Sequence, residues 1–460
     1  MPRNGLLVAI GKSLGIAGLS AILAVAGLAQ STETVLHTFT WGSDGGFPFA
    51  GLSFDAKGNL YGVTDQGGIQ KSVCCGGVFQ LTPKPGGGWN YRVIHRFTAP
   101  ITQGEAPSGS VVFDAAGNLY GTTQDGGYCG NVYKLSPTTK GEWKETVIHE
   151  FNDYKKGVLN DGCIPSSYLI FDQAGNLYGT TQQTGFGDCM TSAGCGTVFE
   201  LSPAKNGLWT ESIIHRFPQQ TGDGSNPYGG LVLDSAGNLW GTTLEGGIAG
   251  GGTVFGLTPA TGGTWNETVA FNFTGNGTGY TPYAGLVIDS VGNLYGTTYN
   301  GGSNGYGTVF EMTPQAGGQL SETLIHEFTT CTQSECPDGI EPFGGLVFDG
   351  AGNLYGTTMF GGGAGGQYCN GDSDFREGCG TVFRLTPGQN GTWDYSVVFS
   401  FPGLADGSDG AILTDDHLAV DANGNIFGTT FSGGDTGQNS ICPPALPGMV
   451  GCGVVFEITQ

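Results

Sequence analysis

Apolar positions in this chain come in short runs, each followed by a polar turn, and the same order of runs returns many times. One copy shows the unit. "YLIFD" (168–172) is apolar without alternation, which predicts a strand covered on both faces. The turn "QAGN" follows, with Gly175 suited to positive φ and Asp172 able to cap the turn through its side chain. "LYGTT" (177–181) is a second strand, and "GTVFELSP" (196–203), after a loop rich in glycine and cysteine, is a third. Pro203 ends it, since proline cannot donate to a sheet ladder. A turn, "AKNGL", leads to a fourth strand, "WTESIIHRF" (209–217).

The aspartate that closes the first run recurs at Asp55, Asp114, Asp172, Asp234, Asp289, Asp349 and Asp421, a period of 55 to 72 residues. Fourth-type strands occur seven times, at "TETVLHTF" (32–39) and then from Trp89, Trp143, Trp209, Trp265, Leu320 and Trp393. Third-type strands also occur seven times, the last being "GVVFEIT" (453–459). The strand 32–39 therefore has no sheet of its own, while the last sheet, from 417–459, lacks an outer strand. Each deficiency fills the other if the ends meet. The expected fold is all-β: a seven-bladed β-propeller over residues 30–460, four antiparallel strands per blade, with 32–39 completing the last blade. An open stack of repeats would need no such permutation and would want polar caps.

The phrase "GTVFxLTP" (Gly196–Pro203, Gly252–Pro259, Gly307–Pro314, Gly380–Pro387) resembles the Gloeo/Verruco tandem-repeat proteins over nearly the whole chain after residue 29. The resemblance implies an exported bacterial propeller-like protein. It brings no catalytic residues, and the anchoring C-terminal segments of some members are not expected here. The "D-x-x-G-N-L-Y" portion is similar, more loosely, to NHL-type propellers.

Composition sharpens this picture. Glycine contributes 88 residues and charged residues only 12%, which argues against a solvated disordered chain and for many tight turns. Residues 1–29 carry Arg3 and Lys12 and then an apolar run from Ser13 to Ala29, the pattern of a secretory signal peptide cut after Ala29 or Ala26; the competing reading is a retained anchor. Removing it leaves 14 basic against 39 acidic residues, a net charge of −25. Such a surface repels nucleic acid and anionic lipid, leaving cations, basic partners and neutral ligands. The expected protein is monomeric, secreted, periplasmic or on the bacterial cell surface, with no membrane span after processing. Its expected partner is a glycan or a cell-envelope component.

Twelve cysteines with an export signal predict disulfides. Near neighbours suggest Cys189 with Cys195, Cys331 with Cys336, Cys369 with Cys379 and Cys442 with Cys452. Cys129 with Cys163 is a further candidate pair, and the adjacent Cys74 and Cys75 have no evident partners. All twelve fall in the loops of one face, where the longest inserts also lie.

His37, His95, His149, His215 and His326 share one position of the fourth strand, which holds Phe271 and Phe399 in two other copies. Spread around a ring, they cannot converge on one ion, and the phenylalanines point to packing. His417, outside this pattern, has no evident partner. The interblade loops share D-G-x-x-P, so Asp44, Asp161, Asp223 and Asp338 are expected at the channel mouth beside Phe49, Tyr228, Tyr283 and Phe343. Carboxylates that bind hydroxyls or a cation, next to aromatic faces, suit a glycan; the bland alternative is turn capping. Asp372, Asp374 and Glu377 form a candidate Ca²⁺ cluster, shorter than an EF-hand loop; no other cofactor is expected. Two functions follow: a secreted, non-enzymatic binding or scaffold propeller, or an enzyme acting on a carbohydrate or lactone at the channel mouth. An acid pair breaking the sevenfold pattern would favour the enzyme.

Overall fold

The computed structural model describes residues 31–68, 75–98, 104–127, 129–152, 161–183, 195–205, 207–217, 222–275, 277–315, 318–328, 331, 336–363, 378–402, 410–411, 413, 417–434, 442 and 451–460. Seven four-stranded antiparallel sheets form the blades of a ring. Blade 3 runs outward through Ile170–Phe171, Leu177–Thr181, Thr197–Pro203 and Trp209–Arg216. The other blades repeat this order. Blade 7 takes Ala419–Val420, Ile426–Thr430 and Val454–Thr459 from the end of the chain and Thr32–Thr38 from its beginning. Thr32 pairs with Thr459 and Thr38 with Val454, so the propeller closes as the strand order predicts.

The inner strands are shorter than the five-residue runs suggest, with only two residues of ladder in each blade, as in Ile170–Phe171. The residues before them are drawn into contacts between blades. Thr180 Oγ1 donates to the Gly229 carbonyl of the next blade (3.2 Å), Thr242 to Ala284 (2.8 Å) and Thr297 to Gly344 (3.0 Å). The first threonine of the "LYGTT" phrase thus serves as a hydrogen-bonded spacer between blades.

The repeated aspartate works as a turn cap. Asp172 Oδ1 accepts from the Ala174 and Asn176 amides, and its Oδ2 accepts from the Asn176 side chain and the Tyr178 hydroxyl. That tyrosine position then packs onto the following blade. Tyr120 lies 5.2 Å from Phe171 and 5.9 Å from Trp209, and across the closing seam Phe427 lies 5.4 Å from Phe54 and 5.6 Å from Trp89. The tryptophan that opens five of the seven fourth strands is therefore a packing residue. The phenylalanine of "TVF" is buried between sheets, as at Phe199, 5.1 Å from Phe151. Its neighbouring glycine is needed because a Cβ on Gly196 would stand 2.4 Å from Pro227 of the next loop.

Candidate functional site

Each loop between blades must travel from an outer strand at the rim to an inner strand at the axis. Just before its proline the backbone turns through the left-handed region. Phe47, Ala106, Ile164, Asn226, Thr281 and Glu341 all have φ between 53° and 58°. Residues preceding proline favour extended backbone, so this recurring conformation is strained. Two backbone hydrogen bonds hold it: the Asn226 amide donates to the Cys195 carbonyl (2.8 Å), and the Leu244 amide donates to the Asn226 carbonyl (2.9 Å). Cys75, Cys129 and Cys452 offer the same carbonyl in their blades. The disulfides therefore anchor the loops at their fixed points. Cys129 is bonded to Cys163, Cys331 to Cys336 and Cys442 to Cys452. Cys75, Cys195 and Cys379 are also disulfide-bonded. Cys74, Cys189 and Cys369 lie outside the described residues, as do Asp372, Asp374 and Glu377.

The strained turn delivers the residue after the proline to the axis. In four blades that residue is Phe49, Tyr228, Tyr283 or Phe343, and the structure brings these rings together. Tyr283 stacks on Phe343 at 4.6 Å, Tyr228 lies 5.5 Å from Tyr283 and 6.1 Å from Phe343, and Phe49 lies 6.1 Å from Phe343. Blades 4 and 6, or 6 and 1, are not neighbours, so rings from them meet only near the axis. Tyr299 and Phe431, from the position after "GTT" or its equivalent, join the cluster at 5.3 Å from Tyr283 and 6.0 Å from Phe49. All six rings are half-buried. The Tyr299 hydroxyl donates to the carboxylate of buried Glu341, an acid with no counterpart in the other loops.

In blades 2 and 3 both positions are polar, and in blade 1 the second of them is. Ser108 and Ser166 stand where blades 1, 4, 5 and 6 have aromatic rings, and Asp65, Gln124 and Gln182 correspond to Tyr299 and Phe431. Gln182 Nε2 donates to Ser166 Oγ (2.7 Å), and Gln66 Nε2 donates to Asp65 Oδ2 (3.0 Å). Burial pushes the Asp65 carboxyl up to about 6, the Gln66 hydrogen bond draws it down, and the Asp125 charge adds to the rise. The mouth is thus divided into an aromatic arc and a polar arc.

The aspartates of D-G-x-x-P do not belong to this mouth. Asp161 Oδ2 is 3.1 Å from His149 Nε2 and Asp223 Oδ2 is 3.2 Å from His215 Nε2, both histidines being on outer strands. Asp44 and Asp338 pair in the same way with His37 and His326, at 3.4 and 3.9 Å. The separation follows from the path of the loop, because four residues upstream of the proline the chain is still at the rim. The histidines are indeed spread around the ring, but each gathers acids locally, which the packing reading missed. Next to His149, burial and the Asp161 charge push the Glu211 carboxyl up to about 8.

Along the axis, the inner strands of blades 3 to 7 line an apolar cavity of about 410 Å³. Tyr168 and His417 take the first inner-strand position, where other blades have glycine or serine. Their rings lie 5.4 Å apart, edge to face. A Cβ on Gly230 would stand 2.3 Å from the Tyr168 ring, so that ring occupies space left by small residues. Burial lowers the His417 imidazole to about 4, which keeps it neutral.

Glu341, Asp65, Tyr299, Phe431 and Tyr168 were not singled out from the sequence. Superposing the seven copies position by position would have exposed them as departures from the repeat.

The sequence profile of the Gloeobacter/Verrucomicrobia repeat matches residues 21–193 and 165–442. No protein of curated function matches the sequence. Among solved structures, the extracellular domain of a protein assigned as a one-component system from B. thetaiotaomicron aligns with a TM-score of 0.50 at 12% identity, over 94% of this chain and 42% of that one. The periplasmic gluconolactonase of Pseudomonas aeruginosa aligns with a TM-score of 0.47 at 15% identity, over 82% of this chain and 97% of that one. At these identities the likeness is one of fold. Among the described residues no helix is long and apolar enough to cross a membrane.

Proposed function

The chain belongs to the Gloeobacter/Verrucomicrobia repeat family, and we propose that it is an exported, non-enzymatic propeller that binds carbohydrate at its channel mouth. One observation carries the reading: six half-buried aromatic rings from five blades converge on the axis, while the same positions in blades 2 and 3 are serine and glutamine and blade 1 carries Asp65 at the second of them. A sugar ring presents an apolar face to stack on aromatics and an edge of hydroxyls for amides and carboxylates. The disulfides and the doubly bonded strained turns support it further, because they hold a binding surface rigid before the ligand arrives.

The test is a glycan array probed with the processed protein, with and without Ca²⁺, followed by Tyr283→Ala and Phe343→Ala on any hit. Binding that either variant weakens by about tenfold or more agrees with loss of a stacked ring. An array with no bound glycan in either condition would remove carbohydrate as the ligand class.

A second reading rests on Asp65. A carboxyl held near 6, electrostatically coupled to Asp125 and outside the sevenfold pattern, has the character of a general acid or base for a lactone or glycoside. Turnover of sugar lactones abolished by Asp65→Asn would favour it over simple binding.

A further inference from the structure

We propose that the protein carries two sites for a divalent transition-type cation: one between blades 2 and 3 at His149, Asp161 and Glu211, the other between blades 3 and 4 at His215, Asp223 and Glu267. In each set, one imidazole nitrogen and two carboxylate oxygens lie within 4.8 Å of one another. His149 Nε2 is 3.1 Å from Asp161 Oδ2 and 3.7 Å from Glu211 Oε1. A tetrahedral zinc ion with bonds near 2.1 Å needs ligand atoms about 3.4 Å apart, so an ion enters with small movements only.

Several features turn a cluster into a cradle. Each aspartate has one oxygen tied to the backbone: the Asn152 amide donates to Asp161 Oδ1 and the Gly224 amide to Asp223 Oδ1, both at 2.7 Å. The Oδ2 atom is thereby turned toward the histidine, as outer-sphere hydrogen bonds orient metal ligands. Glu211 Oε1 and Glu267 Oε1 are buried and accept no hydrogen bond among the described residues. A buried carboxylate oxygen without a donor is costly, and a cation would satisfy it. Side-chain exposure is 4% at His215 and zero at Asp223, so the second site is shielded from bulk water.

The donor set selects the kind of ion. One nitrogen and two oxygens, with a water completing the shell, suit zinc or a neighbouring first-row ion. Calcium gathers six to eight oxygens and is disfavoured. Two carboxylates and a neutral imidazole also cancel the ion's charge.

Other interfaces of the same ring serve as internal controls. At His37 and His326 the next blade offers a tyrosine where these sites have glutamate, and Tyr91 and Tyr395 stack on the imidazoles at 3.5 and 3.7 Å. In blades 4 and 6 the histidine itself is replaced by Phe271 and Phe399. His95 has Glu145 at 3.3 Å, but its loop carries Gln103 in place of the aspartate.

The test measures zinc bound to the chelator-stripped chain, prepared without a histidine tag, by equilibrium dialysis at micromolar free metal and elemental analysis. Two ions per chain are expected, one each for Glu211→Gln and Glu267→Gln, and none for the double variant, with affinity at an altered site falling about tenfold or more. Zinc should raise the unfolding midpoint of the wild-type chain and leave that of the double variant unmoved. Glu322→Gln, at an interface without the histidine, should still bind two. The proposal is overturned if the wild-type chain takes up no zinc, or if the double variant, folded by circular dichroism, retains both ions. Should a variant fail to fold, anomalous diffraction at the zinc edge on the wild-type protein decides the matter: density anywhere but at these two trios refutes the assignment.

Discussion

Thr429 in blade 7 donates its hydroxyl to the backbone carbonyl of Ala50 in blade 1 (3.3 Å), repeating across the meeting point of the chain ends the bond that Thr180 makes to Gly229 (3.2 Å) within the chain. The seam is thus built as an ordinary interface between blades. The strand Thr32–Thr38 on its outer side closes blade 7 as any fourth strand would.

Removing residues 32–38 should therefore cost far more than trimming a terminus. The strand Val454–Thr459 would lose its partner and present an open, largely apolar edge. A lower unfolding midpoint and self-association are expected, read by calorimetry and light scattering. A monomer of unchanged midpoint would show that the strand is dispensable for closure.

Gly224 is a site where a single methyl should be felt. A Cβ there would lie 2.4 Å from Thr243 Oγ1, 2.5 Å from its Cγ2 and 2.7 Å from Thr253 Oγ1. Gly224→Ala should destabilise by about 1–3 kcal/mol through overpacking. Adding Thr243→Ala should recover part of the loss in chemical denaturation. A fully additive double variant would mean that the two side chains do not compete for space.

His417 should stay neutral through the mildly acidic range. Its folded-state value, near 4, lies below the ordinary 6.5, so the unfolded chain binds the extra proton between those limits. Its contribution to stability is present above about pH 6.5 and is lost as pH falls toward 4. His417→Leu should remove that component of the acid sensitivity. An NMR titration giving this imidazole an ordinary midpoint would contradict its burial in the channel.

Asp65 should act in the opposite sense. Its folded-state value is raised from 3.8 to about 6, so the native state holds the proton more tightly. Stability should fall as pH rises through that window, by roughly 2 kcal/mol for this group alone. Asp65→Asn should flatten the corresponding part of the stability profile. If the variant and wild-type profiles run parallel from pH 4 to 6, the carboxyl is not held protonated.

Much of the architecture is legible in the residues because it depends on local chemistry repeated seven times. A run such as "LYGTT" reports a buried strand wherever it stands, and Asp172 caps its turn with atoms no more than six positions away. The end strands 32–39 and 453–459 reveal closure because each names the partner the other lacks. Pairing Cys331 with Cys336 could be read from their separation, whereas Cys129 with Cys163 needed the knowledge that a third strand and the following loop lie side by side.

By itself, then, the chain's pattern determined the blade count, the strand order, the closing strand and the face that carries the cysteines, since all of these follow from contacts between residues close in sequence or related by the repeat. Only the tertiary structure decided which departures from the repeat meet. Aspartates expected at the mouth turned out to sit at the rim against histidines, while Phe49, Tyr228, Tyr283 and Phe343 met at the axis. The reason is radial position. A loop running from rim to axis places residues four apart at different distances from the centre, and a ring brings together side chains from blades that are far apart along the chain.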